Sequence, residues 1–492
     1  MIQGQKSFLK KANADGFLPL NYAGTKSLLS ILQWGGISMV TGREKELQYL
    51  NDYYKKSGTQ ILVVYGQKGI GKTTLLEQFM EEKDYWYYEA ISCSTRQQRV
   101  FMADHLKDQG IIMPEYPEFE ELFLAIEEGP SSKKIFVIDE FQNMCKTDNE
   151  FFEALYDYIN RENKKKDMFI ILCSSSIGWV ENSMVSKLGP LSRMLSGFYK
   201  IKELKYQDFR AHFPLFSKED SIGAFSILGG VPGLWQFFND EFTLRENIES
   251  FILRSNEKLF DYGQLYVAEE LRETAVYNTL LGALAMGKRK LNDLHLHTGF
   301  SRAKISVYLK NLMQLEIVEK VFSVDTEGRD NTQKGIYQIR HPYVHFYYRY
   351  LFPNQTKIMF WETADFYEQF IEPTFGEFVA GCFKQVCREF LEKESAEERL
   401  PDKFVNLGQW VGKKGNIDIM FQNEDEEIMT GICNWQTELM RYEEYEILKE
   451  CQESAKIQAE YMILFSKGSF DNRLRQEVKK NPHLALVSLE QM

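Results

Sequence analysis

Gly66-Gln67-Lys68-Gly69-Ile70-Gly71-Lys72-Thr73, followed by Thr74, carries the spacing G-x-x-x-x-G-K-[ST]. Glycines at those positions let a loop turn so that successive backbone N–H groups face phosphate oxygens, and a helix starting there adds the positive end of its dipole. Lys72 is then placed to reach the β- and γ-phosphates of a nucleotide, and the Thr73 hydroxyl to bind a bridging Mg²⁺. Such chemistry needs a carboxylate at the end of a neighbouring strand. Ile135-Phe-Val-Ile138 supplies the strand and Asp139-Glu140 the acids. Asp139 is expected in the Mg²⁺ shell, and Glu140 as the general base that polarises attacking water. An acidic pair is also a common helix start, so the phosphate loop upstream is what favours the chemical reading. Ser175, after the apolar run Met168–Cys173, is expected to sense the γ-phosphate or the water, although helix-capping serines occur in the same place. Arg193 would supply charge to the transition state, from its own subunit or a neighbour; an exposed arginine explains it equally.

These groups work only if strands and helices alternate to hold them. Short β-rich runs at Ile61–Tyr65, Tyr85–Ala90, Ile135–Ile138 and Phe169–Cys173 are separated by helical patterns, which predicts βαβ units and a parallel sheet. At 492 residues the chain is long enough for about three domains. Hydrophobic residues at 44% and charged residues at 26% are ordinary globular usage and exclude wholesale disorder or a disulfide scaffold. A net charge of -12 excludes a protein that coats nucleic acid through overall basicity, leaving only a local basic face for that contact. The seven cysteines contain no C-x-x-C pair, which suggests reduced thiols and a cytoplasmic location. No secretory signal is expected, and the uncharged stretch Ser221–Asn239 is interrupted by Gly229, Gly230, Pro232 and Gly233, so it reads as a buried segment and not a membrane span.

From Leu271 to Tyr350 the pattern changes to short helices followed by two strands, Ile317–Val324 and Gly335–Ile339, the outline of a winged helix. Its second helix would present Arg302, Ser306 and Lys310, with Lys288, Arg289 and Lys290 before it and Arg329 and Lys334 in the wing. That face suits double-stranded DNA, and equally a solvated surface or a protein contact. His341 and His345 are four apart, but no third ligand accompanies them, so aromatic packing explains them better than a metal.

Val40-Thr41-Gly42-Arg43-Glu44-Lys45-Glu46-Leu47, the Asp139-Glu140 strand and Gly229-Gly230-Val231-Pro232-Gly233 resemble, over about residues 41–235, the AAA-related archaeal-type ATPases allied to the STAND group. The resemblance implies ATP and Mg²⁺ as cofactors. It places Gly42 and Arg43 beside an adenine pocket and likens Gly230-x-Pro232 to a lid motif that approaches nucleotide; on its own, such a Pro-Gly cluster indicates only a turn.

Residues 366–492 resemble the domain of unknown function that follows these ATPases, itself related to PD-(D/E)xK nuclease folds. The segments that carry this are Phe375–Leu391, Gly408–Trp410, Asn416–Ile419, Gly431–Trp435 and Leu464–Phe470. Asp418 takes the first carboxylate position. The Glu-x-Lys of active members falls on Ile432-Cys433-Asn434, and Lys384 stands for an early helix glutamate. Isoleucine cannot ligate a metal and a neutral amide cannot replace a lysine's charge, so nuclease activity is not expected.

The expected architecture is α/β. It comprises an N-terminal extension (1–38), a P-loop NTPase parallel sheet (39–200), a helical lid (201–265), a winged helix (266–352) and a restriction-endonuclease-like α/β domain (353–492). The expected activity is ATP hydrolysis used as a conformational switch, with a protein partner or self-association possible and no membrane contact. The alternative is a nucleotide-bound scaffold or DNA-binding regulator with little turnover.

Overall fold

The computed structural model describes residues 42–128, 131, 133–162, 166–324, 335–400, 402–412 and 415–492. The extension, Val40 and Thr41, and the wing residues Arg329 and Lys334 lie outside the described residues. The first layer set is a five-stranded, wholly parallel sheet in the order β2-β3-β4-β1-β5: β1 Gln60–Tyr65, β2 Tyr85–Glu89, β3 Lys133–Asp139, β4 Asp167–Ser174 and β5 Gly197–Lys200. The four strands expected from the sequence are present; β5, only four residues long, gave no comparable apolar run.

Alternation along each strand fills two cores, as period-two side chains must. Leu62, Val64, Ile135 and Val137 pack under helices α1 (Glu44–Tyr54) and α2 (Lys72–Met80). Ile61, Val63, Phe136 and Ile138 pack under α3 (Thr95–Asp108), α4 (Phe119–Glu127) and α5 (Glu150–Asn160). Because both faces are covered, the central strands read as continuous apolar runs. Passing from β1 through α2 to β2 skips β4 and β3, which leaves a crevice over the carboxyl ends of β1, β3 and β4.

Helix α6 (Lys218–Leu228) is buried on every side from Ser221 onward, which accounts for the long uncharged stretch. Among the described residues, no helix is long and apolar enough to cross a membrane. Helices α7 (Leu244–Phe251), α8 (Tyr262–Glu270), α9 (Thr274–Ala285), α10 (Leu291–Thr298) and α11 (Arg302–Gln314) follow, and then an antiparallel pair, β6 (Val318–Val321) and β7 (Ile336–Ile339). Ile305, Leu309 and Leu312 form the buried stripe of α11.

A 25-residue helix, α12 (Glu372–Ala396), leads into the second five-stranded sheet, in the order β14-β12-β10-β9-β8. Its strands are β8 Val405–Val411, β9 Asn416–Gln422, β10 Ile428–Asn434, β12 Tyr461–Ser466 and β14 Leu484–Ser488; β11 (Leu439–Met440) and β13 (Ser469–Phe470) pair separately. The sheet is mixed: β8, β9 and β10 are antiparallel neighbours, β10, β12 and β14 parallel. The charged residues from Glu392 on continue α12, which ends at Ala396. Glu and Lys are good helix formers and solvate its outer face. One apolar cluster runs from Leu204 through the α9–α11 core to Phe383, Leu391 and the inner face of the second sheet, across the expected borders at 265/266 and 352/353.

Candidate nucleotide site

The chain leaves β1 at Tyr65 and turns at Gly66, where a Cβ would lie 2.7 Å from the Ile201 carbonyl oxygen. Gly69 and Gly71 have φ of 79° and 93°, left-handed values that glycine adopts freely. Helix α2 starts at Lys72, so loop amides and helix N-terminus converge. Lys72 is buried and its Nζ donates to the carbonyls of Gly66 and Gln67 at 2.9 and 3.2 Å. Thr73 and Thr74 are exposed in the first turn of α2.

Asp139, 5% exposed, has both carboxylate oxygens engaged. Oδ1 accepts from the Glu140 amide at 2.9 Å, and Oδ2 accepts from the Thr73 hydroxyl at 3.2 Å and the Tyr87 hydroxyl at 2.6 Å. A hydroxyl and a carboxylate side by side are hard oxygen donors of the kind Mg²⁺ takes, so the residues fit that ion. Burial, then the neighbouring Asp139 charge, drives the Tyr87 phenol well above its ordinary pKa, so it remains a proton donor.

Glu140 has φ 50° and ψ 40°, a left-handed conformation sparsely used by residues with a Cβ and frequent where function constrains the backbone. Its Oε2 accepts from the Ser175 amide at 3.3 Å, the Ser175 hydroxyl at 2.7 Å and the Gln142 side-chain amide at 2.5 Å. Gln142 Oε1 accepts in turn from Ser174 at 2.7 Å. The expected base and the expected sensor serine are therefore hydrogen-bonded to each other.

The glycine-proline segment lies on the phosphate loop backbone to backbone. Gly233 N–H donates to the Gly69 carbonyl at 2.8 Å, and a Cβ on Gly233 would stand 2.7 Å from Gly69 Cα. A Cβ on Gly230 would stand 2.0 Å from the Leu204 carbonyl oxygen. Pro232 borders Gly71, whose Cβ would come within 4.0 Å of the ring. These glycines permit close approach as well as a turn.

Further ties reach the loop from α8 and from Glu203. Lys68 Nζ and Glu269 form an ion pair at 2.5 Å. Gln67 donates to Glu203 at 3.2 Å and accepts from the Tyr266 hydroxyl at 3.4 Å. Burial raises the Glu203 carboxyl pKa, opposed by the charge of Arg340. Arg340 also pairs with Glu316 at 3.0 Å, and Glu316 with Lys200 at 2.8 Å. Arg43, 2% exposed, donates to the Ile70 carbonyl at 2.9 Å and the Lys202 carbonyl at 2.8 Å, so its guanidinium braces the loop. Gly42 abuts the Asp208 side chain. Arg193 is exposed in the turn Gly189–Met194, which packs on α5, and forms no hydrogen bond or ion pair with the loop residues.

His341 caps the helix Pro342–Phe346 by accepting from the Val344 amide at 3.4 Å, and the His345 ring packs 4.9 Å from Phe378. In the second sheet Lys384 Nζ stands 2.5 Å from Asp418 Oδ1, while Asp418 Oδ2 accepts from the Cys433 amide at 3.1 Å. The side-chain amide of Asn434 donates to Glu444 at 2.8 Å.

Tyr87, Gln142, Glu203 and Glu316 are absent from the sequence expectations. Tyr87 sits in the aromatic run Tyr85-Trp86-Tyr87-Tyr88, where nothing separates it from its neighbours until the register with β3 is known. Glu203 reaches Gln67 of the loop, and Glu316 reaches Lys200 at the end of β5, only through tertiary contacts.

A parallel sheet, a glycine loop opening a helix, and a threonine and aspartate in contact define a P-loop ATPase core. Residues 41–235 match the family described as an ATPase domain predominantly from Archaea, and residues 347–448 match archaeal and bacterial proteins of unknown function. The chain carries an archaeal-type P-loop ATPase domain joined to that second domain. It is 26% identical over 397 residues to an uncharacterized protein of Methanocaldococcus jannaschii, covering 79% of this chain and 85% of the relative. Among solved structures, the Walker-type ATPase of Pyrococcus abyssi is 18% identical with a TM-score of 0.45, covering 62% of this chain and 95% of its own. The ORC2 protein of Aeropyrum pernix, solved as ADPNP-ADP complexes, is 13% identical with a TM-score of 0.41, covering 64% and 95%.

Proposed function

We propose that this chain hydrolyses ATP with Mg²⁺ and uses the hydrolysis as a conformational switch. The observation that carries the reading is the hydrogen bond between Gly233 and Gly69, because it joins the phosphate loop to the segment that leaves the buried helix α6. A loop that rearranges around phosphates must carry that segment with it. Lys72 and the loop amides of residues 66–73 would bind the phosphates; Thr73 and Asp139 would hold Mg²⁺, which neutralises phosphate charge. Glu140 would act as the base once released from Ser175 and Gln142. Arg43 would support the loop and not touch nucleotide. Arg193 would act only on a neighbouring subunit.

The division at 200, 265 and 352 serves this reading: core, lid, winged helix and second sheet move as parts of one switch. The ion pairs Lys68–Glu269 and Lys200–Glu316 would latch the third part to the first, with Arg340 holding Glu316 within the third. The second sheet would not cleave phosphodiesters, since the Lys384 ammonium occupies the side of Asp418 that a cation would need. DNA contact is a further part of the proposal. Arg302, Ser306 and Lys310 are exposed on α11, with Lys288, Arg289 and Lys290 exposed before α10.

The test is ATP turnover by purified protein with and without Mg²⁺ and duplex DNA, alongside Lys72→Ala. Turnover that needs Mg²⁺ and vanishes in the variant is the expected result. Tight nucleotide binding without turnover would instead favour a scaffold. DNA affinity that falls steeply with salt would support the α11 face; flat salt dependence would reject it.

A further inference from the structure

We propose that Tyr87 is a positioning residue of the Mg²⁺-nucleotide site, acting by holding Asp139; this rests on the reading of the loop as such a site. In the register of β2 with β3, Tyr87 lies opposite Val137 and Glu89 opposite Asp139. Alternation puts Tyr87, Val137 and Asp139 on one face of the sheet, about 6.6 Å of strand separating the first from the last. A tyrosine side chain is long enough to span that distance and ends in a hydroxyl donor. Its hydroxyl reaches Asp139 Oδ2 at 2.6 Å, the same oxygen that accepts from Thr73. With Oδ1 held by the Glu140 amide, donation from Tyr87 removes the carboxylate's freedom to rotate.

The role has a chemical logic. A threonine that turns its lone pairs toward a cation must send its proton to an acceptor, and Asp139 Oδ2 is the acceptor at hand. Tyr87 fixes that oxygen through a hydroxyl, without setting an ammonium or guanidinium beside it. Partners that orient a metal-holding group in this way are commonly worth 10- to 100-fold in metal affinity. Phenylalanine would keep the ring in its packing against the α1–α2 core and remove only the donor.

The experiment titrates Mg²⁺ into protein with a fluorescent ADP analogue and compares the wild type with Tyr87→Phe, Asp139→Asn and the double variant. Binding in EDTA and thermal melting are measured on the same samples. Tyr87→Phe is expected to raise the Mg²⁺ concentration for half-saturation roughly 10-fold. Its affinity in EDTA should match the wild type, and in the Asp139→Asn background it should add nothing, since the interaction it removes is already gone. An unchanged Mg²⁺ midpoint, an equal loss in EDTA, or an additive effect in the double variant would each overturn the assignment. If the wild type binds the analogue with no dependence on Mg²⁺, the failure lies with the Mg²⁺-nucleotide reading itself, and Tyr87 falls with it.

Discussion

Both five-stranded sheets bury an aspartate near the first residue of a helix or the face of one, and the two aspartates are treated in opposite ways. The donors that meet Asp139 are neutral: the Thr73 and Tyr87 hydroxyls, the Glu140 amide and the Cys173 thiol. Asp418 is met by an ammonium, Lys384, and one amide, that of Cys433. Neutral donors orient a carboxylate and leave its charge for a cation to come; a lysine cancels the charge and makes the pair part of the core. On the reading proposed above, the same residue would serve chemistry in one sheet and structure in the other.

The largest effect should separate the two sheets at once. Glu140→Gln is expected to lower ATP turnover by roughly 10²- to 10⁴-fold, with nucleotide binding retained in an equilibrium titration. No substitution at Asp418 should approach that figure in the same assay. Turnover that survives in Glu140→Gln would remove the contrast.

Next in size, Lys384→Met leaves Asp418 buried without its partner and should cost about 3 kcal/mol in a denaturant melt. Adding Asp418→Asn should recover most of that loss. Should Mg²⁺ or Mn²⁺ instead stabilise the Lys384→Met protein, the lysine has been masking a metal site, and the two aspartates are more alike than they look.

Between the sheets lies an aromatic layer that holds His341 and His345. Burial pushes their pKa values down to about 4 and about 3, against an unfolded value near 6.5. The neutral rings contribute their stability fully above pH 6.5, and it drains away as pH falls toward the folded values, at about 1.4 kcal/mol per pH unit for each histidine. His345→Phe, set against Phe378, should make the stability-pH curve shallower by that amount between pH 6 and 4. An unchanged slope would mean that the ring is not held neutral.

The smallest effect is expected at the surface end of the latch. Lys68 and Glu269 are both more than half exposed, so Lys68→Ala should shift stability by less than about 0.5 kcal/mol, and 0.5 M salt should erase the difference. A larger change would place this pair among the contacts that hold α8 to the loop.

Most of the nucleotide loop could be read before any fold was known, because its chemistry depends on backbone: glycines set the turn, and the strand before and helix after follow from apolar runs. The four expected strands of the first sheet and the two strands β6 and β7 were legible for the same local reason. What α12 does with its charged end, and where β5, β8, β12 and β14 lie, was not, since short or half-exposed strands carry weak patterns. Arg43 shows the limit within the site. The Gly42-Arg43-Glu44 box suggests a nucleotide contact, yet its guanidinium is spent on the carbonyls of Ile70 and Lys202, which come together only when β5 pairs with β1.

Local sequence by itself determined the phosphate loop, the Asp139-Glu140 strand end and the absence of a Glu-x-Lys in the second sheet. Each is a matter of residue type and near spacing, which torsion angles and strand period translate directly into geometry. Only the tertiary structure decided that Tyr87 holds Asp139, that Ser175 and Gln142 hold Glu140, that Gly233 rests on Gly69, and that Lys384 neutralises Asp418. Apart from Gln142, two residues from Glu140, those pairs lie between 34 and 164 residues apart, and long-range register is set by how whole faces pack and not by any pattern within a segment.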